Sequence, residues 1–474
     1  MDKYIEYFYE IANIPHGSGN EGRLSDYLKR FAMDNGFYVR QDDDDNIVII
    51  REAHPDYADH DPVILQAHMD MVAVKTPECA KNMANEGLDL YDEDGFIKAR
   101  GTSLGGDDGI GVAYILDILS GAYKTPRIEA IITTGEEVGM TGAMNLDIKD
   151  ITARQMINLD QEEEGIFINS CAGGATVKMN LPVMKNVYDG SVFSIRVSGL
   201  KGGHSGEDIN KNRGNGIKIL VDELCKLNEK LGFQLIEING GVAHNAIPND
   251  VTALVMLTGE LDNSLFEKEI LKLNGMDINF GDAANWDSAV ITVKKEGSRP
   301  MIALDSESTT KALKFISEIP YGVIAMSEID PEMVETSINT GVIKSDEESI
   351  YLEALLRSSI DRSVDELAYK LCKLCNEYGV DYSMEGSYPG WAATSDNKLQ
   401  DIFVKTYEDM YGKSPEVKGI HAGLECGIFM SKLSGLKCIS IGPDILDIHS
   451  VNERLDIASS KRCFDLLVKV LEKL

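Results

Sequence analysis

The chain has 474 residues, too many for one ordinary core, and is expected to divide into two or three domains of roughly 100–250 residues each. With 43% hydrophobic and 26% charged residues it falls in the globular range, which excludes disordered and fibrous classes. Acidic side chains outnumber basic ones 78 to 46, a formal net charge of −32 that repels a phosphate backbone, so nucleic acid is not an expected partner; charge of this kind keeps a surface solvated and does not by itself name a metal.

The opening segment MDKYIEYFYEIANIPHGSG has no basic leader followed by an apolar core, and no later run approaches ~18 apolar residues. A cytoplasmic protein without membrane partners is therefore expected. The eight cysteines, at 79, 171, 225, 372, 375, 426, 438 and 463, are scattered and form no disulfide framework, which suits a reducing compartment. Cys372 and Cys375 make one CxxC inside VDELAYKLCKLCNEYG, a stretch with the periodicity of an amphipathic helix, where packing explains them without a second pair.

Helical patterns cover 2–14 and 20–36; strand patterns come next at 46–50, 63–67, 129–134 and 154–160, with a helix at 109–121. Strands alternating with helices predict an α/β sheet covered by helices. The DDDD run at 42–45, between two strand patterns, reads as a solvated turn. From about residue 187 the texture becomes α+β: strands at 191–197, 251–259, 288–294 and 349–357 interleave with helices at 215–231 and 364–379, in what looks like two similar halves. After PGW at 389–391 the α/β texture returns in a helix at 398–412, a strand at 436–442 and a helix at 460–474. The expectation is a mixed-sheet α/β catalytic domain, 1–186 and 387–474, interrupted by an α+β lid or dimerisation domain, 187–386.

Chemistry is concentrated at the ends of the predicted strands, where loops carry functional groups out of an open α/β sheet. In VILQAHMDMV, His68 and Asp70 lie two apart on an extended segment, so the carboxylate can orient the imidazole from behind. In SLGGDDGIGVA, small residues allow close backbone approach and Asp107 can offer both oxygens to two ions; an Asp capping a helix fits the same residues. In EAIITTGEEVGMTGA, adjacent Glu136 and Glu137 point differently, so that one can ligate a metal while the other faces a water; solubilising surface glutamates are the alternative. Asp160 closes the strand of MINLDQEE, and His449 lies in the loop of SIGPDILDIHSVNE. Two histidines and several carboxylates make an N/O donor set suited to zinc, manganese or cobalt rather than calcium.

The ordered series HMD, GGDDGIG, TTGEEVG, INLD and IHS resembles that of the aminoacylase/carnosinase family of co-catalytic metallopeptidases, over nearly the whole chain. The further segments GLKGGHSGEDI, VAHNAIPND, ALLRSSID and GIHAGLECGIF narrow the resemblance to the aminoacyl-histidine dipeptidases, or cytosol non-specific dipeptidases. It implies that Asp107 bridges two divalent ions, zinc first with cobalt or manganese as alternatives, that His68 and Asp160 complete one site, and that Glu137 and His449 complete the other. Glu136 is then the general base acting on a hydroxide shared by the ions, and Asp70 keeps its orienting role. Where relatives often carry Asn after the bridging Asp, this chain has Asp108.

In the inserted domain, the resemblance gives His204 the task of stabilising the oxyanion, and Asn245 and Arg357 that of holding the backbone and carboxylate of a dipeptide. The resemblance also makes His421, Gly423 and Glu425 part of a substrate-pocket segment, with Glu425 facing a free amino group. The implied activity is hydrolysis of dipeptides, including Xaa-His. An N-acyl amino acid deacylase or a tripeptidase would use the same metal centre, and a catalytically silent binding protein would be expected to have lost ligands. Both a homodimer and a monomer whose doubled insert satisfies its own interface remain open. No GxGxxG follows a strand in the manner of a dehydrogenase.

Overall fold

The short apolar runs of the first and last thirds of the chain assemble into one eight-stranded sheet. In the computed structural model, which describes residues 2–258, 268–280, 287–328 and 331–474, its order is Tyr38–Gln41, Ile47–Arg51, Ile128–Thr133, Val63–His68, Gln155–Asn158, Lys437–Ser440, Ile166–Cys171 and Glu416–Ile420. The four middle strands, from Ile128–Thr133 to Lys437–Ser440, run parallel to one another; Ile47–Arg51 and Ile166–Cys171 join them antiparallel, and Tyr38–Gln41 is antiparallel to Ile47–Arg51. This is the mixed α/β sheet expected. The central strands are buried along their length, which is why they read as unbroken apolar runs rather than alternating ones.

Helix Gly106–Ser120 is mostly apolar all round and is buried from Gly106 to Leu119. Lys3–Ala12 packs on it: Tyr4 meets Tyr114 edge-on at 5.1 Å, and the Tyr114 hydroxyl donates to the Ser460 carbonyl at 2.7 Å, tying in the last helix, Ile457–Leu471. Each such aromatic gives about 1.5–3 kcal/mol on burial, so this cluster with Phe8 and Phe464 fixes the helices that support the site. A small four-stranded sheet, Ile445–Leu446, Arg454–Asp456, Phe96–Ala99 and Leu90–Glu93, completes this unit, which comprises Met1–Cys171, Trp391–Gly419 and Leu424–Leu474.

The second compact unit is Ala172–Gly390 with Ile420–Gly423. The boundary lies before the expected residue 187, because strand Gly173–Pro182 pairs with Ser349–Ser358 on one side and Asp381–Tyr388 on the other. Its ten-stranded sheet is antiparallel and has two five-stranded halves. One holds Lys185–Ser198, Gln234–Gly240, Val251–Thr258, Met276–Phe280 and Asp287–Leu304; the other holds Gly173–Pro182, Gly322–Met326, Val334–Ser345, Ser349–Ser358 and Asp381–Tyr388. They join where Gly240 pairs with Ile343. Helices Gly216–Leu231, Ser306–Glu318 and Asp361–Tyr378 bury their apolar stripes in a core shared with the sheet, and Cys375 belongs to that core as a free thiol. Of the expected strand 251–259, Gly259 lies outside the described residues.

Candidate metal centre and substrate residues

Parallel strands release their C-terminal ends at one edge of a sheet, and His68, Glu137 and Asp160 of the expected metal set lie on or just beyond such ends, while Asp107 and His449 come from loops next to the small antiparallel sheet. His68 is the last residue of Val63–His68, and Asp160 follows Gln155–Asn158 by two residues. Glu136 and Glu137 follow Thr133 through a turn that needs Gly135 at φ 62°. Asp107 enters behind Gly105, also left-handed at φ 67°, and His449 lies between the paired segments Ile445–Leu446 and Arg454–Asp456 with φ 56°, a region His tolerates better than most residues.

These loops bring the side chains together. His68 Nε2 lies 3.0 Å from Asp107 Oδ1 and 3.4 Å from Asp160 Oδ1. His449 Nε2 lies 3.1 Å from the other oxygen, Asp107 Oδ2, and 2.9 Å from Glu137 Oε1. Asp107 thus shows one carboxylate oxygen to each imidazole. Ligands of a tetrahedral ion with bonds of ~2.1 Å stand about 3.4 Å apart, so these spacings suit donors sharing an ion. Among the described residues, His68, Asp107 and Glu137 form one group able to hold a metal, and His68, Asp108 and Asp160 another.

Electrostatics make the same demand. Hydrogen bonds to Asp107 and Glu137 push the His449 pKa up to about 11. Burial alone would strip the proton from His68, yet Asp160, Asp107 and Asp70 hold its pKa well above the ordinary value. Burial raises Asp160 to about 6 against the pull of His68. The cluster therefore calls for positive charge at two places, and a donor set of two imidazoles and three carboxylates fits two divalent cations.

Three buried carboxylates hold this arrangement. Asp70 receives the main-chain N–H groups of Glu136 at 3.0 Å and Glu137 at 3.3 Å, and the Ser18 hydroxyl at 2.9 Å. Its oxygen Oδ1 is 3.6 Å from His68 Nδ1, whereas its own main-chain oxygen is at 3.0 Å, so the imidazole is oriented by the Asp70 carbonyl more closely than by the carboxylate expected from the spacing. Although burial opposes it, His68, Ser18 and the Glu136 N–H keep the Asp70 carboxyl below its usual pKa. Asp108 accepts from the His68 N–H at 3.2 Å and the Gly111 N–H at 3.1 Å, joining the end of strand Val63–His68 to the first turn of helix Gly106–Ser120.

The third carboxylate, Glu453, was not among the residues expected. It accepts from four successive N–H groups, Leu104 at 2.7 Å, Gly105 at 3.0 Å, Gly106 at 2.8 Å and Asp107 at 3.4 Å, and so holds the loop that carries Asp107. Burial, with the Asp107 charge nearby, raises its pKa to about 6. The signal available in the sequence was the Gly-rich turn itself, whose unpaired N–H groups require an anion.

Glu136 is half-buried and stands outside the histidine–carboxylate pairs. Burial pushes its pKa well up; His68 opposes this, and Asp160, Glu425 and Glu137 reinforce it. Glu425 differs from its expected place facing a substrate amine. It is fully buried, with Oε2 accepting from Gln66 Nε2 at 2.5 Å and Thr133 Oγ1 at 2.6 Å, bracing the strands that carry His68 and the glutamate pair. Burial raises its pKa to about 8.

The remaining expected residues lie in the second unit. Arg357, 5% exposed, pairs in register with Ser337 on one side and Gly174 on the other, and donates through Nη1 to the Tyr388 hydroxyl at 2.9 Å. Its Nε has no hydrogen-bond partner although buried. His421 Nε2 pairs with Ser337 Oγ at 2.7 Å; burial, and then the Arg357 charge, lower its pKa to about 3, so the ring is neutral. His204 pairs with Ala246 beside Asn245, whose carbonyl receives the Ser205 N–H at 2.8 Å; its Nδ1 is likewise buried and unpartnered, and burial lowers its pKa. Gly423 is half-buried next to Ala422, whose carbonyl receives the Ala172 N–H at 3.0 Å. Asn339 supports this group by donating to the carbonyls of His244 at 3.0 Å and Ala246 at 2.9 Å.

A mixed α/β sheet with imidazoles and carboxylates converging beyond its parallel strand ends defines a metallohydrolase-type centre. The chain matches the model of Peptidase family M20/M25/M40 over residues 64–473 and belongs to that family, whose members hydrolyse peptide bonds. It is 33% identical over 475 residues to the cytosol non-specific dipeptidase of Escherichia coli (strain K12), covering 98% of this chain and 96% of the relative. Among solved structures it resembles the aminoacylhistidine dipeptidase of Vibrio alginolyticus, with TM-score 0.87, 32% identity, and coverage of 100% of this chain and 96% of that one. The aminopeptidase PepT of Bacillus cereus shares the fold at TM-score 0.63 and 18% identity, with coverage of 100% and 98%.

Proposed function

We propose that this peptidase is a cytosolic dipeptidase of broad specificity, Xaa-His included, that works with two divalent ions held by His68, Asp107, Glu137, Asp160 and His449. The observation that carries the proposal is Asp107, with Oδ1 3.0 Å from His68 and Oδ2 3.1 Å from His449, and Asp160 and Glu137 on either flank. Zinc suits these donors, with cobalt and manganese as alternatives. Bound ions would polarise the scissile carbonyl and lower the pKa of water.

Glu136 takes the proton of the attacking water on its carboxylate and passes it to the leaving amine. Its raised proton affinity suits it to both directions of transfer. Asp70 fixes the turn that presents Glu136 by binding its N–H. In the second unit, Arg357 binds the dipeptide's terminal carboxylate, Asn245 its backbone and His204 the developing oxyanion, with His421 and Gly423 shaping the same pocket. The dipeptidase names of the relatives in Escherichia coli and Vibrio alginolyticus support this substrate class.

The test is hydrolysis of free and N-acetylated dipeptides by metal-stripped protein, with zinc, cobalt or manganese restored, beside Glu136→Gln. Metal-dependent cleavage of free dipeptides that falls about 10²–10⁴-fold in Glu136→Gln while metal content is kept would support the reading. Cleavage of N-acylated substrates alone would replace it with a deacylase.

A further inference from the structure

Beside the metal centre, the first unit contains a cavity of about 740 Å³ that none of the residues assigned above explains. Its apolar lining is Met71, Val72, Ala73, Ala80, Met83 and Val138, with Ser18, Asn20, Lys75, Lys81, Asn82 and Glu137 as the polar part of the wall. The space falls within the roughly 300–1,000 Å³ usual for sites that enclose small molecules. Much of the wall belongs to the irregular segment after Met71, which is held in place by polar bonds. Asn20 Nδ2 donates to the Ala84 carbonyl at 3.1 Å and Lys75 Nζ to the Lys81 carbonyl at 2.7 Å, while Lys81 Nζ donates to the Gly87 carbonyl at 2.5 Å. The two rim lysines are thus engaged with carbonyls of their own loop, and the apolar part of the wall presents thioether, methyl and isopropyl groups.

Glu137 is shared between this cavity and the histidine–carboxylate cluster. A group seated in the cavity therefore sits next to the reacting atoms. We propose that this cavity receives the side chain of the N-terminal residue of the substrate dipeptide and gives the enzyme a preference for apolar residues there. The inference rests on the dipeptidase reading. In a dipeptide the scissile carbonyl belongs to the N-terminal residue, so the side chain carried beside Glu137 and the histidine–carboxylate cluster is that residue's, and no arginine lines the cavity to draw the substrate carboxylate there instead. Met71 and Met83 are unbranched and polarisable, so the wall can repack around leucine, methionine or phenylalanine, which accounts for breadth without loss of apolar preference.

The experiment compares kcat/KM for Leu-Gly, Phe-Gly, Gly-Leu and Gly-Gly in the zinc-restored wild type, Ala84→Trp and Met83→Asp. Ala84 is an exposed lining residue, so a tryptophan there fills space without disturbing a buried core. The wild type is expected to favour Leu-Gly and Phe-Gly over Gly-Gly. Both variants are expected to cut those two ratios by about tenfold or more, chiefly through KM, the size of effect that a pocket misfit of one or a few carbons gives. The Gly-Leu to Gly-Gly ratio is expected to stay put. If the Gly-Leu ratio falls equally, or no ratio moves in either variant, the cavity is not the N-terminal subsite. A wild type that cleaves none of the four dipeptides would overturn the dipeptidase reading itself, which is a different failure from altered ratios in an active enzyme.

Discussion

Replacing Glu453 with Gln tests whether the metal centre depends on a carboxylate that touches none of the five expected ligand side chains. In the structure its two oxygens serve four main-chain donors, with Leu104 and Gly105 on Oε2 and Gly106 and Asp107 on Oε1. An amide keeps one acceptor oxygen and turns an NH₂ group toward the other two donors. Two charge-assisted bonds at ~1.5–3 kcal/mol each are then lost, about 3–6 kcal/mol in all, and the Asp107 loop is free to move. Because outer partners of a metal site typically govern 10–100-fold in affinity, zinc binding measured by competition with a chromogenic chelator is expected to weaken by that factor. Thermal unfolding of the metal-free protein should shift downward as well. A variant that binds zinc within twofold of wild type, with an unchanged unfolding curve, would refute the assignment of loop control to Glu453.

Two further outcomes concern buried charges. Glu425, whose folded pKa of about 8 lies above its ordinary value of 4.5, is neutral in both folded and unfolded states at low pH; as pH rises past 4.5 only the unfolded chain ionises, so its contribution to stability is lost progressively up to pH 8. Urea unfolding of metal-free Glu425→Gln should therefore lack this part of the alkaline loss, on the order of 1.4 kcal/mol per pH unit across that window, and a parallel pH profile in the two proteins would count against it. Arg357→Lys should raise KM for free dipeptides by roughly 10–100-fold, since the ammonium cannot reproduce the guanidinium fork. C-terminally amidated dipeptides, which lack the carboxylate, should show little further loss in the variant, and an equal loss for both substrates would remove Arg357 from that role.

Three members of the candidate metal cluster were legible because parallel central strands write themselves as short apolar runs, and the residues just beyond each run form the strand-end loop. His68, Asp160 and the Glu136–Glu137 pair each sit at most four residues beyond a run that could be recognised by periodicity alone. Such reading misses whatever depends on contacts distant in sequence. Glu453 looks like a solvated glutamate in HSVNERL until the fold places it under a loop nearly 350 residues earlier. Glu425 heads helix Glu425–Lys432 and was expected to face a substrate amine, yet Gln66 and Thr133 enclose it. The boundary near residue 172 was hidden because GGATVKMNLP has the texture of a catalytic-domain strand, and only its pairing with Ser349–Ser358 assigns it to the other sheet. The hairpin Leu90–Glu93/Phe96–Ala99 did leave a local signal, the Asp94–Gly95 dipeptide, whose φ values of 53° and 85° are those a tight two-residue turn requires.

Asp70 shows how sequence spacing can find the right residue and only part of its work. Two residues from His68 on an extended strand, it was expected to act on the imidazole, but its carboxylate is spent chiefly on the N–H groups of Glu136 and Glu137. One negative charge therefore sets the direction of the proposed base and of the proposed ligand beside it at once, while the peptide carbonyl of the same residue orients the ring at 3.0 Å. Loss of the carboxylate would leave the His68 tautomer largely supported and release the glutamate turn. The proton-transfer step is then the part of the reaction most exposed to a change at Asp70, and metal binding at the His68 side the least.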